Sequence, residues 1–207
     1  MSSDQNNFYK AFEDQHRGSR ETIKARLAVY VPFIKKIQAN HSNASALDLG
    51  CGRGEWLELL QENQLTASGV DLDDGMLSAC RSRGLNVQTD DAVAHLKSLP
   101  ADSLSIVSGF HIAEHLSLDD LQALIKESLR VLKPAGLLIL EAPNTENLVV
   151  GTSSFYLDPT HQRPLPSALL SFLVGYLGFA RSKVLGVQES VPLREEHGPT
   201  SLFAVLS

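Results

Sequence analysis

Short apolar runs alternate with helical stretches along the middle of this sequence, and this alternation limits the folds that the chain can adopt. The run ALDLG precedes a helical stretch at 55–64, and ASGVDL precedes another at 75–82. LNVQTD and LSIVSGF precede further helical stretches at 92–99 and 118–132, and LLILEAP follows as a fifth strand candidate. Strands that alternate with helices at this spacing predict a parallel sheet with helices on both faces.

The two ends of the chain depart from this pattern. Apolar residues recur at helical spacing from Arg20 to Gln38, and Pro32 is expected to kink or split that helix. Residues 1–43 are therefore predicted to form an N-terminal helical extension. RSKVLGVQES and TSLFAVLS follow each other without room for a crossover helix, which favours an antiparallel pair that closes the sheet. The main domain is predicted to cover residues 44–207.

Composition narrows the class of protein and its surroundings. The net charge of −6, without any block of Lys or Arg, argues against broad binding to nucleic acid or anionic membrane. The two cysteines, Cys51 and Cys80, form no CxxC pair and suit a reducing compartment. The sequence shows no signal-peptide pattern and no apolar run near the roughly 20 residues of a membrane helix. We expect a cytoplasmic protein without a membrane span; nothing in the sequence indicates its oligomeric state.

Glycine is concentrated directly behind the first predicted strand, at Gly50, Gly52 and Gly54. In open α/β sheets a ligand binds beyond the carboxyl ends of the strands, and three alternating glycines favour a turn that approaches one closely. The third glycine comes too early for GxGxxG, and no GK[ST] indicates a P-loop. Asp71, 21 residues after Gly50, ends the second strand. Its carboxylate can accept hydrogen bonds from both ribose hydroxyls of a nucleoside, or it can cap the next helix.

Four motifs, LDLGCGRGEW, GVDLD, TDDA and LKPAGLLIL, occur in this order. Together they resemble the class I S-adenosylmethionine-dependent methyltransferases, over roughly Ala44 to the C-terminus. The resemblance implies an enzyme with S-adenosyl-L-methionine as its cofactor. It implies a Rossmann-like sheet of seven strands, mostly parallel, with an antiparallel last strand. The cofactor-binding residues implied by the resemblance are Asp48, Gly50, Cys51, Gly52, Gly54, Asp71, Leu72, Asp91 and Ala92.

The resemblance also implies a role for each of these positions. The glycine turn would wrap the methionine half of the cofactor, and Asp48 would help to hold its amino group. Asp71 would bind the ribose, and Leu72 would contact the adenine face. Asp91 and Ala92 would meet the adenine edge, although Asp91 also stands where it could cap a helix, a role that is compatible with binding.

Two further segments, FYKAFEDQHRGSR and FYLDPTHQRP, resemble methyltransferase domains from bacterial polysaccharide gene clusters, including O-antigen chain-terminating enzymes. This second resemblance implies a sugar hydroxyl or a glycan-end phosphate as the methyl acceptor. The N-terminal segment is expected either to pack on the domain edge or to form a lid, with Tyr9 or Arg17 pairing the methionine carboxylate. Arg17 is the preferred candidate because Gly18 follows it and permits a tight turn.

The loop FYLDPTHQRP lies between the fifth strand and the next helix, where an acceptor would bind. We expect Tyr156, Asp158 and Arg163 to bind the acceptor and His161 to act as a general base. His111, directly after the fourth strand, is the second catalytic candidate. A sugar hydroxyl needs such a base, whereas a phosphate acceptor is already ionised and needs cationic side chains instead.

The segment HIAEHL raises the question of a metal ion. His111, Glu114 and His115 match the HxxEH pattern of certain metalloproteases, but that pattern requires a helix and here it follows a strand. Some O-methyltransferases of quinone biosynthesis, which this segment resembles, bind a divalent ion, yet they carry an acid at the position of His111. The favoured interpretation is that no metal binds, that Glu114 and His115 brace the loop, and that His111 faces the methyl group.

The leading hypothesis is therefore an S-adenosylmethionine-dependent O-methyltransferase that acts on a sugar or glycan end in polysaccharide biosynthesis. One alternative is a methyltransferase for a small aromatic or quinone-like acceptor, whose pocket the apolar segment ALLSFLVGYLGF could line. Another is a non-catalytic S-adenosylmethionine-binding scaffold domain. The expected partner is a glycan or small-molecule acceptor, and not a nucleic acid.

Overall fold

A computed structural model describes residues 18–187, which are built around a parallel sheet of five strands. The order across the sheet is β3–β2–β1–β4–β5, and every adjacent pair runs parallel. The strands are β1 (Ser45–Leu49), β2 (Thr66–Asp71), β3 (Val87–Thr89), β4 (Leu104–Phe110) and β5 (Leu132–Glu141). The strand order reverses between β1 and β4, so ligands are expected at the carboxyl ends of these strands.

Helices connect the strands and also precede the first one. They are α1 (Arg20–Leu27), α2 (Val31–Asn40), α3 (Glu55–Glu62), α4 (Asp74–Ser82), α5 (Ala92–Ser98), α6 (Leu118–Val131), α7 (Leu148–Thr152) and α8 (Ser167–Tyr176). Short 3₁₀ helices occupy Ala28–Tyr30, Ala113–His115 and Ser154–Leu157. The alternation predicted from the sequence is thus confirmed for the central part of the chain.

Successive residues of the strands serve two separate hydrophobic cores, because their side chains point to opposite faces of the sheet. Ala46 and Ile106 pack with the apolar side chains of α1 to α4 on one face. Leu47 and Val107, their immediate neighbours, pack with α5, α6 and α8 on the other. Both faces are therefore covered, as the sequence predicts.

The N-terminal helices pack onto the first of these cores. Pro32 stands in the first turn of α2, and the 3₁₀ segment before it separates α2 from α1, so the predicted split is confirmed. Tyr30 and Ile34 are buried in the core. Arg20 ties α1 to the start of α3: its Nη2 donates to Glu58 Oε1 at 2.8 Å and its Nη1 to the carbonyl of Arg53 at 2.6 Å.

The segment between α6 and β5 differs from the prediction. The sequence indicates a helix that Pro134 and Gly136 stop, followed by a strand from Leu137, whereas the structure ends the helix at Val131 and begins β5 at Leu132. Leu104 pairs with Leu132 but Ile106 pairs with Leu137, so three extra residues bulge out of β5. Proline and glycine lie in this irregularity, where no ladder hydrogen bond is needed from proline.

The predicted sixth and seventh strands are not part of the described sheet. Residues 181–187, the first part of RSKVLGVQES, form no strand, and the rest of that segment and TSLFAVLS lie outside the described residues. The seven-stranded sheet with an antiparallel last strand therefore stays a prediction. Within residues 18–187, no helix combines the length and the apolar character needed to cross a bilayer.

Candidate active site

The turn after β1 has a left-handed backbone at each of its three glycines. The φ angles are +67° at Gly50, +48° at Gly52 and +78° at Gly54. A Cβ at Gly54 would also lie 2.5 Å from Leu85 Cδ1. Side chains are disfavoured in this region of φ, so the conformation of the turn itself selects glycine. At Gly54, close packing against α4 and the loop after it is a second reason why only glycine fits, and the sequence alone does not reveal this contact.

Asp71 connects this turn to the end of β2. Its Oδ2 accepts a hydrogen bond from the backbone N–H of Gly52 at 2.8 Å, and its Oδ1 accepts one from Asp73 N–H at 2.9 Å. The alternative role of Asp71 as a helix cap is wrong, because the side chain of Asp73 caps α4 through Gly75 N–H and Met76 N–H. A carboxylate offers about four acceptor positions, so Asp71 retains capacity for ribose hydroxyls.

Asp48 lies beneath the glycine turn in the centre of the sheet. It is 2% exposed, and Ser108 Oγ of β4 donates to its Oδ1 at 2.7 Å. Trp56 Nε1 donates in turn to Ser108 Oγ at 2.8 Å. Trp56 is buried in the core, and its indole N–H also anchors the hydroxyl that orients Asp48. Burial of a carboxylate at a strand end requires such partners.

The other predicted cofactor residues occupy the same edge of the sheet. Leu72 follows β2 and is 68% exposed, which leaves its side chain free to cover a flat ligand. Asp91 caps α5 by accepting from Ala94 N–H at 2.8 Å, and Ala92 begins that helix. Cys51 is buried, and burial raises the pKa of its thiol, so it packs as a neutral side chain. Arg17 lies outside the described residues.

His111 extends the edge of the site beyond β4. Its φ is +56°, an uncommon value for a residue other than glycine, and its N–H donates to the carbonyl of Glu141 at 2.8 Å. Its Nδ1 lies 3.2 Å from Glu114 Oε1 and its Nε2 lies 3.7 Å from Glu141 Oε1. Burial opposes protonation, but the two carboxylates outweigh it and raise the pKa of His111 to about 9. At neutral pH, His111 is thus a cation.

Glu141 and Tyr30 complete the surroundings of His111, and the sequence gives neither of them a role. Tyr30 Oη donates to Glu141 Oε2 at 2.6 Å. Burial alone would raise the pKa of Glu141, but hydrogen bonds from His111 and Tyr30 reverse the effect and lower it. The sequence does contain a signal for Glu141, because an acid stands near the carboxyl end of the predicted strand LLILEAP, where ligands bind in this type of sheet. Tyr30 carries no such signal, because its helical spacing indicates only a core position.

The loop FYLDPTHQRP docks onto the segment that follows β4. Gln162 N–H donates to the carbonyl of Glu114 at 2.8 Å, and Gln162 Nε2 donates to the carbonyl of His115 at 2.8 Å. Thr160 Oγ1 lies 2.9 Å from His115 Nδ1. His161 Nδ1 lies 2.6 Å from the carbonyl of Phe155, so this nitrogen carries the ring proton. The structure therefore brings His161 to the 111–115 segment.

A compact group of three side chains results: Glu114, His115 and His161. One potential ligand atom from each lies within 4.8 Å of the others, an arrangement that could hold a metal ion. His161 Nε2 lies 3.9 Å from Glu114 Oε1 and 3.8 Å from Asp158 Oδ2. The pKa of His115 is lowered, mainly by burial. The metalloprotease geometry of HxxEH is absent here, because His111 precedes a 3₁₀ turn instead of lying on an α-helix.

The three predicted acceptor-binding residues differ in their surroundings. Tyr156 is 63% exposed, whereas the Asp158 side chain is 12% exposed and its Oδ1 accepts from Thr160 N–H at 2.8 Å, which orders the loop. Arg163 has a buried Nε and a buried Nη2 that make no hydrogen bond within residues 18–187. Buried guanidinium nitrogens without a partner are costly, so Arg163 is suited to receive an anionic group.

Comparison with known proteins identifies the family to which the chain is similar. The family described as "Methyltransferase domain" matches residues 46–136. A probable S-adenosylmethionine-dependent methyltransferase from Mycolicibacterium smegmatis is 30% identical over 161 residues, which cover 76% of this chain and 62% of that protein. A ubiquinone/menaquinone biosynthesis C-methyltransferase from Campylobacter jejuni is 30% identical, with 53% of this chain and 50% of that protein covered.

A solved structure supports the same assignment. The crystal structure of a SAM-dependent methyltransferase from Archaeoglobus fulgidus has 38% sequence identity and a TM-score of 0.74, and the match covers 83% of this chain and 74% of that one. This chain belongs to the S-adenosylmethionine-dependent methyltransferases, with their Rossmann-like α/β fold. The expectations of an enzyme and of S-adenosyl-L-methionine as its cofactor are thereby confirmed. The chain spans only 58–62% of the length of the mycobacterial relatives that it matches.

Proposed function

We propose that this chain transfers a methyl group from S-adenosyl-L-methionine to an oxygen of a sugar or of a glycan-end phosphate. One observation carries the proposal: the loop with His161 and Arg163 docks on the segment that follows β4, next to the glycine turn. Ile112 in that segment packs against the turn, with its Cδ1 3.4 Å from the position of a Cβ on Gly50. The residues that we propose for the cofactor and for the acceptor thus lie at one edge of the sheet.

The residues at this edge fit the cofactor. The turn has a left-handed backbone at Gly50, Gly52 and Gly54, and Asp71 is fixed by two N–H groups with acceptor capacity left over. When bound, S-adenosyl-L-methionine supplies a sulfonium methyl group, whose loss leaves a neutral thioether. Because such a displacement needs little covalent help, the protein contributes mainly by positioning the reactants. In the proposal, Arg17 of the N-terminal segment pairs the methionine carboxylate.

His161 is the residue that we assign to proton removal from the acceptor. Its Nδ1–H is held by the Phe155 carbonyl, so Nε2 presents the lone pair. The carboxylates of Glu114 and Asp158, 3.9 and 3.8 Å from Nε2, stabilise the positive charge that the ring gains on accepting a proton. General-base catalysis of this kind contributes about 10²–10⁴-fold to a rate. The acceptor oxygen then forms its bond to the methyl carbon.

The cationic groups of the site favour an acceptor that carries negative charge or electron-rich oxygens. His111 is protonated at neutral pH because Glu114 and Glu141 raise its pKa, which makes it an orienting cation and a poor base. Arg163 offers Nε and Nη2 without protein partners. These two cationic groups suit a sugar phosphate, in line with the resemblance to polysaccharide methyltransferases.

A small quinone-like acceptor is the second candidate function. The apolar segment after the loop forms α8, on which Phe172 and Tyr176 are exposed and stacked with ring centroids 5.7 Å apart. The similarity to a quinone-biosynthesis C-methyltransferase points to the same acceptor class. An aromatic surface of this kind suits a flat apolar ring better than a sugar.

Transfer of labelled methyl groups to a panel of acceptors tests these proposals. The panel contains glycans, phosphorylated glycan ends, sugar nucleotides and phenols. Labelling of a sugar or its phosphate supports the first proposal, and labelling of phenols alone supports the second. For His161→Ala we expect loss of turnover with S-adenosylmethionine binding retained, whereas His95→Ala, which changes a histidine on α5, is expected to keep both. An unchanged rate in His161→Ala would remove it as the base, and cofactor binding without any turnover would favour the scaffold alternative.

A further inference from the structure

We propose that Glu114, His115 and His161 form a binding site for a divalent metal ion of the zinc type. The site deepens the proposed function, on which its catalytic role rests, by adding a Lewis acid where the acceptor is expected. The sequence favours no metal, because HxxEH follows a strand here instead of lying on a helix, and because His111 stands where metal-binding quinone methyltransferases carry an acid. The structure replaces His111 by His161, from a loop 46 positions further along the chain than His115.

The donor set is the first argument for a metal. One ligand atom from each of the three residues lies within 4.8 Å of the others, so a single ion between them can reach all three after small side-chain adjustments. Zinc binds imidazole nitrogen and carboxylate oxygen at about 2.0–2.2 Å, and two histidines with one glutamate form a known type of zinc site. Magnesium prefers oxygen ligands only, so the two imidazoles select against it.

The second argument comes from the hydrogen bonds around His161. Its Nδ1–H donates to the carbonyl of Phe155 at 2.6 Å. The ring is therefore oriented, its proton is fixed on Nδ1, and Nε2 keeps its lone pair. Histidines that bind metals usually donate their other N–H to a carbonyl or carboxylate in this manner.

His115 is oriented by an equivalent chain of hydrogen bonds. Thr160 Oγ1 lies 2.6 Å from Asp158 Oδ1 and 2.9 Å from His115 Nδ1. The carboxylate of Asp158 can only accept, so the hydroxyl donates its single proton to Asp158 and accepts from His115 Nδ1–H. His115 consequently carries its proton on Nδ1 as well, and its Nε2 is the free ligand atom.

The third argument is the state of Glu114. The residue is fully buried, its Oε1 pairs with His111 Nδ1 at 3.2 Å, and its Oε2 makes no hydrogen bond within the described residues. A buried carboxylate oxygen without a partner is energetically costly. A cation between Glu114 and the two imidazoles would supply the missing interaction.

The site would leave coordination positions open for the acceptor. Three protein ligands and a vacant fourth position distinguish catalytic zinc sites from structural ones. An acceptor hydroxyl bound at that position loses its proton to solvent more readily, because the cation stabilises the resulting oxygen anion. The ion and a proton compete for His161 Nε2, so the metal, when bound, takes over the activating role that we assign to the free histidine.

Zinc binding to the full chain tests the proposal directly. Isothermal titration of the chelator-treated protein with zinc chloride should show one ion per chain, and the same titration with magnesium chloride should show none. Glu114→Gln and His161→Gln remove one ligand each. Thr160→Val removes only the group that orients His115, and because Thr160 is exposed, the change does not threaten folding. Loss of such an outer group weakens metal binding by about 10–100-fold. The two ligand variants should lose more.

A matched variant and a second titration separate the outcomes. His95→Gln makes the same substitution on α5, outside the cluster, and should bind zinc as the wild type does. The metal site would be overturned if the wild type bound no zinc. It would also be overturned if Glu114→Gln and His161→Gln bound zinc with the affinity of the wild type. Each sample is also titrated with S-adenosylmethionine and assayed for methyl transfer. Transfer without a zinc site refutes this inference alone, whereas a zinc site without transfer to any acceptor refutes the proposed function alone.

Discussion

Gly54→Ala is the substitution for which the structure predicts the most specific loss of stability. Gly54 has φ +78°, and a left-handed backbone costs a residue with a side chain about 1–2 kcal/mol. The new Cβ would also lie 2.5 Å from Leu85 Cδ1 and 3.0 Å from Cys80 Sγ, both in buried residues. Overpacking of this kind adds about 1–3 kcal/mol. The expected total is about 2–5 kcal/mol of unfolding free energy.

Gly84→Ala isolates the contribution of packing. Gly84 has nearly the same φ, +77°, but no atom lies within 4 Å of the position of its Cβ. Only the backbone term of about 1–2 kcal/mol is therefore expected. Urea unfolding followed by circular dichroism measures both variants against the wild type. Gly54→Ala should lose about 1–3 kcal/mol more than Gly84→Ala. An equal loss of unfolding free energy in both variants would show that the close packing at Gly54 contributes nothing to the cost of the substitution.

Three further predictions concern side chains around the site. Ser108→Ala leaves Trp56 Nε1 without its acceptor and should lower the unfolding free energy by about 1–3 kcal/mol, measured by urea unfolding; an unchanged midpoint would contradict it. Tyr30→Phe removes a hydrogen bond to the charged Glu141 and should cost about 1.5–3 kcal/mol by the same measurement, whereas a cost near zero would show that this bond contributes nothing. Arg163→Met removes a partly unpaired guanidinium, so stability should be kept while KM for an anionic acceptor rises at least about tenfold; unchanged KM would exclude Arg163 from acceptor binding.

The sheet was predictable because each strand is a short apolar run between helical patterns. The fifth strand is the exception, since Pro134 and Gly136 stop a helix in most contexts, and their position in an irregular strand depends on pairing with β4. That pairing partner lies almost thirty positions earlier in the chain. Local sequence patterns carry no information about such a register shift.

The proximity of the glycine turn to Asp71 was predictable for a related reason. Gly50 and Gly52 lie in the turn that follows β1, Asp71 ends β2, and the hydrogen bond from Gly52 N–H to Asp71 joins the ends of these two adjacent strands. The contacts among Tyr30, Glu141 and His111 were not predictable, because Tyr30 and Glu141 are separated by 111 positions. Nothing in the spacing of either segment indicates that they meet.

The histidine cluster shows the same limit most clearly. Sequence spacing groups His111 with His115, as on a regular helix, whereas His111 has a left-handed backbone and is followed by a 3₁₀ turn. The loop with His161 joins His115 instead, through Thr160 and Gln162. The loop was predicted to face the site, but which histidine it contacts depends on tertiary packing.

The central claim is that S-adenosyl-L-methionine binds beside Asp71. The most direct test compares the affinity of the wild type and of Asp71→Asn for this cofactor. The two carboxylate oxygens of Asp71 accept from Gly52 N–H and from Asp73 N–H. In asparagine one of these oxygens is replaced by an NH2 group, which cannot accept, so one of the two hydrogen bonds is lost. Calorimetry should therefore show binding to the wild type and at least about tenfold weaker binding to Asp71→Asn, since hydrogen bonds to a charged group contribute about 1.5–3 kcal/mol. Asp119→Asn, which removes the same charge from an exposed position on α6, should bind as the wild type does. Equal affinity in all three proteins would contradict the assignment of the cofactor site.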